Sequence, residues 1–214
     1  MARNKYPEVT VEKILEVSKR LFLVKGYDDT TIQDIVNELG GLTKGAIYHH
    51  FKSKEEIMFA LGDKMFFESN PFLAVRDCKE LNGLQKMRKM LMINNSNEEL
   101  MDINLQAMPL LKNPRILAMT IESNRRVLVP LWLELLEEGN RDGSIKTEYT
   151  KEIAEYLSFI DFWFLPVLHP ATAEETQRKF HFVMEMLSKM GLPLISDDML
   201  PMVEKSLSRA SKTE

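Results

Sequence analysis

GYDDTTIQDIVNELGGLTKGAIYHHFKSK, residues 26–54, is the stretch whose reading decides the fold. Thr31 followed by Asp34 has the spacing of a capping box, and a helix is expected to begin after Thr30 or Thr31. Ile32, Ile35, Val36 and Leu39 share one face of that helix, and Gly40-Gly41 stops it. Thr43 is the natural N-cap of a second short helix from Lys44 to about Phe51. There Ala46, Ile47 and Phe51 point inward, which leaves Lys44, Gly45, Tyr48 and His49 outward. Ser53 then caps a third helix, with Glu55 and Glu56 at its positive end. Two short helices joined by a glycine turn form a helix-turn-helix.

Upstream, an amphipathic helix is expected from about Thr10 to Lys25, with the stripe Ile14, Val17, Leu21 and Val24 beside Phe22, closed by Gly26. Downstream, helical periodicity is nearly continuous and no period-two run marks a strand. Expected helices are 83–107, a short one at 109–112, then 114–139, 150–165, 173–190 and 197–208. The breaks fall at Asn70-Pro71, Pro109, Asn113-Pro114, the Gly139–Gly143 run, Pro166, His169-Pro170 and Gly191–Pro193. The expectation is an all-α chain: an N-terminal three-helix head over 1–54 and a helical bundle over 55–214.

The bulk numbers fit that division. The 214 residues are 44% hydrophobic, enough for a small domain and a larger one. The single cysteine, Cys78, excludes an internal disulfide framework and a Cys-based zinc site. The N-terminus MARNKYPEVTVEK has no apolar core of signal-peptide length, and no run approaches the roughly 18 apolar residues of a membrane span. A cytoplasmic location is expected. The net charge of −4 is unevenly spread: residues 1–54 carry nine Lys and Arg against seven Asp and Glu, and the remainder nineteen against twenty-five. A mildly basic head on an acidic body can bind phosphate if its cations share a face. All 13 methionines beyond Met1 lie at Met58 or later, which gives the body the more adaptable interior.

The chemistry of residues 31–54 suits double-stranded DNA. Thr31 and Thr43 each place a hydroxyl beside the free N–H groups of a helix start, a ready phosphate site. Gly45 and Ala46 are small enough for close approach to base edges, and Ala46 can touch a thymine methyl. Lys44 can donate to guanine or phosphate, and His49 to phosphate or a base acceptor. Tyr48 presents a hydroxyl on a stiff ring, and Lys54 is placed to clamp phosphate. Base readout is expected from Lys44, Gly45, Ala46 and His49, and positioning from Thr31, Thr43, Tyr48 and Lys54. His49 and His50 point about 100° apart on a helix, so the pair is not a metal site. Lys52 reads as a solvated charge.

This segment resembles the DNA-binding head of the tetracycline-repressor-like (TetR) family of bacterial transcriptional regulators. The residues that carry the resemblance are Phe22 with Gly26-Tyr27, Thr31–Ile35, Gly41–Phe51 and Lys52–Glu55. They cover about a quarter of the chain. The turn Leu39–Thr43 is one residue longer than the family's usual turn, which bears on the angle between the two helices. The resemblance implies a homodimer, a palindromic operator with half-sites about one helical turn or slightly more apart, and a repressor released when a small molecule binds the body. In that scheme the helix from Lys54 to about Glu68 joins head to body and carries the movement.

For the body, the sequence offers candidates. Ile153, Tyr156, Leu157, Ile160 and Phe164, with Phe180, Val183, Met184 and Leu187, form two apolar stripes, expected at a dimer interface or in ordinary core. Met65, Phe66, Met90, Met101, Met108, Met119, Phe159, Phe162, Trp163 and His181 are candidates to line a pocket for a hydrophobic or amphipathic effector. No phosphate-binding glycine loop, zinc-protease motif or nucleophile elbow is present, so an enzyme is not expected, and no cofactor is called for. The remaining alternative is a helical regulator that works through protein partners.

Overall fold

The computed structural model describes residues 7–195 and 199; the expected 197–208 helix lies outside the described residues apart from Met199. All described elements are helical, as the periodicity predicts. They are α1 (Pro7–Lys25), α2 (Ile32–Leu39), α3 (Lys44–His50), α4 (Lys54–Glu68), α5 (Pro71–Arg76), α6 (Gly83–Ser96), α7 (Glu98–Ala107), α8 (Pro114–Asp142), α9 (Thr150–Phe159), α10 (Asp161–Phe164) and α11 (Ala173–Lys189), with a 3₁₀ turn over Met108–Lys112. No described helix is long and apolar enough to cross a membrane.

The chain forms two compact units. The first comprises residues 1–69 and 98–107, the second 70–97 and 108–214. The first unit therefore takes in α4 and a later segment, α7, which packs on α1 and α4. Its core is Ile14, Leu15, Phe22, Tyr27, Ile35, Ile47, Phe51, Ile57, Leu61 and Ile103. Phe22 and Tyr27 stack with ring centroids 5.3 Å apart. Among the described residues, ion pairs on the surface of this unit join Lys19 to Glu99, Arg20 to Glu38, Lys25 to Asp34, and Lys64 to both Glu12 and Glu68.

Two expectations change here. The inward face of α1 runs through Ile14, Leu15, Ser18 and Phe22, whereas Val24 is 82% exposed. A fully buried serine on that face hides it from a purely apolar reading. The single helix expected over 83–107 is broken at Asn97, and its two halves belong to different units.

In the second unit α8 is the long central helix. It packs along α9 and against α6. Trp132 meets Phe72 edge to face at 4.9 Å. The crossing of α6 and α8 is made at Gly83 and Gly139, where the backbones nearly touch. Lys86 is buried, and its Nζ donates to Glu138 Oε1 at 2.7 Å and to the Arg76 carbonyl at 2.8 Å. A buried cation needs such partners. The short helix α5, capped by Asn70 with Pro71 in its first turn, was not expected; at six residues it is too short for a periodic signal.

Candidate nucleic-acid interface

The helix-turn-helix is fixed by local side-chain bonds. Thr31 Oγ1 accepts from the Asp34 N–H at 3.1 Å, and the Thr31 backbone N–H donates to Asp34 Oδ2 at 2.8 Å. The Thr31 hydroxyl also donates to that carboxylate, and Lys25 Nζ reaches it at 2.8 Å. The Lys25 bond first, and then the Thr31 bonds, hold the Asp34 carboxyl well below the usual range. The expected capping box is thus present, and it commits the Thr31 hydroxyl within the protein. Thr43 Oγ1 accepts from the Ala46 N–H at 3.2 Å. The turn passes through Gly40 at φ +52° and Gly41 at φ +142°, conformations that a side chain would strain.

α3 presents one outward strip. Lys44, Gly45, Tyr48 and His49 are exposed, with Tyr48 at 50%, while Ile47 and Phe51 are buried and Ala46 and His50 lie half-buried. Lys44 with Tyr48, and Gly45 with His49, are four residues apart, so the four share a face. The His49 and His50 rings meet edge to face at 5.1 Å. The cations of α1 are largely paired, Lys19, Arg20 and Lys25 each with a carboxylate. Lys44 and Lys52, at the two ends of α3, are exposed and have no ion pair among the described residues.

Lys54 stands apart from these. Its Nζ donates to the carbonyls of Tyr27 at 2.6 Å and Thr30 at 2.9 Å, and lies 4.0 Å from the centre of the Tyr27 ring. It thereby binds the turn that leads into α2. Tyr27 in turn donates its N–H to Gln106 Oε1 of α7 at 2.8 Å. Burial is the main cause that pushes the Tyr27 phenol up, with Glu55 adding to it.

The candidate pocket residues are divided. Met65, Phe66 and Met101 belong to the first unit and the other seven to the second. Of those seven, Met90, Met108 and Phe162 are buried, Trp163 is half-buried, and Met119, Phe159 and His181 are exposed. Phe159 and Phe162 stack at 5.3 Å. Among the candidate interface residues, Ile153, Leu157, Val183 and Leu187 are buried within the chain, while Tyr156, Ile160, Phe164, Phe180 and Met184 are half-buried. The apolar side chains that α9 and α11 expose most are Phe159 and Phe182; the latter lies outside the predicted set because it falls off the regular stripe of α11.

Residues 14–61, which span this helix-turn-helix and its flanking helices, match the family described as bacterial regulatory proteins, tetR family. That segment is of the tetR family. It is 37% identical over 84 residues to the HTH-type transcriptional regulator TtgR of Pseudomonas putida, an alignment that covers 39% of this chain and 40% of TtgR. It is 27% identical over 154 residues to the HTH-type transcriptional repressor KstR2 of Rhodococcus jostii, with 66% of this chain and 71% of KstR2 covered. The chain therefore spans well under half of TtgR and somewhat over two thirds of KstR2. A solved tetR-family regulatory protein from Rhodococcus RHA1 shares the fold, with a TM-score of 0.50 and 17% identity over 85% of this chain and 97% of that one. The identity to TtgR is higher than that to KstR2, over a shorter alignment.

Proposed function

We propose that this chain is a sequence-specific DNA-binding transcriptional regulator, a homodimeric repressor released from a palindromic operator by a small hydrophobic or amphipathic effector. The observation that carries the reading is the strip Lys44, Gly45, Tyr48 and His49, exposed on a capped helix whose buried face is fully packed. A helix so mounted can enter a major groove with its side chains uncommitted. Ala46 lies beside the strip, and Thr43 places its hydroxyl and the first N–H groups of α3 where a phosphate would sit. Thr31 and Lys54 support the interface by ordering α2 and the turn before it. In functional terms residues 1–54 read DNA, and residues 55–214 bind effector and dimerise. The name of KstR2 as a repressor favours repression over activation.

The test is selection of the purified full-length protein against a random-sequence DNA library at near-physiological salt. The expected result is enrichment of one palindrome, with half-sites about one helical turn apart. A folded dimer that enriches no sequence would overturn the reading and move weight to regulation through protein partners.

A further inference from the structure

Gln106 is on α7, far along the chain from the recognition helix, yet it belongs to the first unit. Leu100 and Ile103 of the same helix are buried. Gln106 follows Ile103 by three positions, which places it about one turn further along the inward face. Its side chain reaches the junction between α1 and α2. There Gly26, at φ +89°, closes α1 with its N–H donating to the Phe22 carbonyl at 3.0 Å. The next N–H, that of Tyr27, donates to Gln106 Oε1 at 2.8 Å, across 79 positions of sequence. Tyr27 is buried, and a buried amide without an acceptor carries the cost of a lost hydrogen bond.

That bond acts on the segment that sets α2. Thr30, fully buried, donates its hydroxyl to the Gly26 carbonyl at 2.7 Å and its N–H to the Tyr27 carbonyl at 3.2 Å. The adjoining residue, Thr31, is the N-cap of α2. Lys54 of α4 holds the carbonyls of this turn, at Tyr27 and Thr30. Tyr27 is therefore gripped on both sides, its carbonyl by α4 and its N–H by α7. Lys54 cannot take over the second task, because an ammonium donates and the N–H needs an acceptor. α2 packs on α1 and on α3, so a shift at its start reaches the outward strip of Lys44 and Tyr48.

We propose that Gln106 is a positioning residue for DNA recognition: its acceptor oxygen fixes the Tyr27 amide, and with it the start of α2 and the angle at which α3 is presented. This rests on the DNA-binding reading above and adds to it a residue outside 1–54.

The probe is the DNA duplex enriched in the selection above, titrated at several salt concentrations into the full-length natural protein, Gln106→Met and Gln106→Glu. Methionine is close to glutamine in length but lacks the carbonyl oxygen, whereas glutamate keeps an acceptor there. Gln106 is half-buried, so Gln106→Met is expected to fold. Amide exchange at Tyr27, followed by NMR in protein carrying isotope-labelled tyrosine, reads the bond itself. The expected result is that Gln106→Met binds about three- to tenfold more weakly, with the slope of log affinity against log salt unchanged. Its Tyr27 amide should exchange faster by a similar factor, and Gln106→Glu should restore both. A role confined to stability would lower Tm and leave the affinity of the folded protein as it was. Natural affinity in Gln106→Met, a Gln106→Glu protein as weak as Gln106→Met, or unchanged exchange at Tyr27 overturns the inference and leaves the DNA-binding reading standing. A natural protein that enriches no duplex overturns both.

Discussion

Gly83→Ala is expected to destabilise the second unit by about 3 kcal/mol, which for a chain of this size lowers Tm by roughly 6–12 °C. The reason is where α6 crosses α8. A Cβ at Gly83 would lie 2.3 Å from the Gly139 nitrogen, 2.5 Å from its Cα and 3.0 Å from the Leu135 carbonyl oxygen. All three are backbone atoms of one helix, so none can swing aside. The Gly83 N–H also donates to Asp142 Oδ2 at 2.7 Å, which pins the start of α6 to the end of α8. Relief would require the helices to separate, with loss of the packing around Met87 and Leu135. The control is Gly62→Ala. Gly62 sits within α4, and a Cβ there would meet nothing within 4 Å. Alanine is favoured over glycine in a helix by about 0.5–1 kcal/mol, so Gly62→Ala should melt at or above the natural protein. Thermal unfolding of the two variants side by side checks both. A Gly83→Ala protein that melts with the natural one would show that the crossing is looser than these distances.

The sequence revealed most where the determining contacts are local. Thr31 with Asp34, Thr43 with Ala46 and Ser53 with Glu56 each span three residues, and each is a bond that a side-chain oxygen can make only at a helix start. The outward strip of α3 was equally legible, because Ile47 and Phe51 define the buried side and the rest follows from helix geometry. Long-range choices were not. At Asn97 neither glycine nor proline marks the break; only the polar run Asn94-Asn95-Ser96-Asn97 ahead of Glu98 and Glu99 does, and it says nothing of the chain leaving one unit for the other there. Gly83 gave no sign of its role, because its neighbour in space is 56 positions away. Ile153 and Leu157 read equally well as interface or core, and within this chain they are buried. Periodicity identifies which face is apolar but not what covers it.

Lys54 and Lys44 should separate folding from DNA contact. Read from sequence, both are cations beside a helix start and both look like phosphate ligands. In the fold they differ. Lys54 Nζ bridges the carbonyls of Tyr27 and Thr30, 27 and 24 residues back, whereas Lys44 extends from α3 with no ion pair among the described residues. Lys54→Met keeps the apolar stem and removes the donor. It leaves two part-buried carbonyls without their cation and Tyr27 without its ring contact. Hydrogen bonds to charged groups contribute about 1.5–3 kcal/mol, so Lys54→Met should cost roughly 2–3 kcal/mol of stability in the first unit. Because the 27–31 turn sets the start of α2, DNA affinity should fall as well, but with the slope of log affinity against log salt nearly unchanged. Lys44→Ala should do the reverse: unaltered melting, weaker binding, and a salt slope reduced by about one, the signature of one lost phosphate neutralisation. Thermal unfolding and binding titrations at several salt concentrations decide between the two roles. Were Lys54→Met to melt normally and reduce the slope by one, its ammonium would have left the carbonyls for the phosphate backbone on binding, and the turn would be held by the capping box of Thr31 and Asp34 alone.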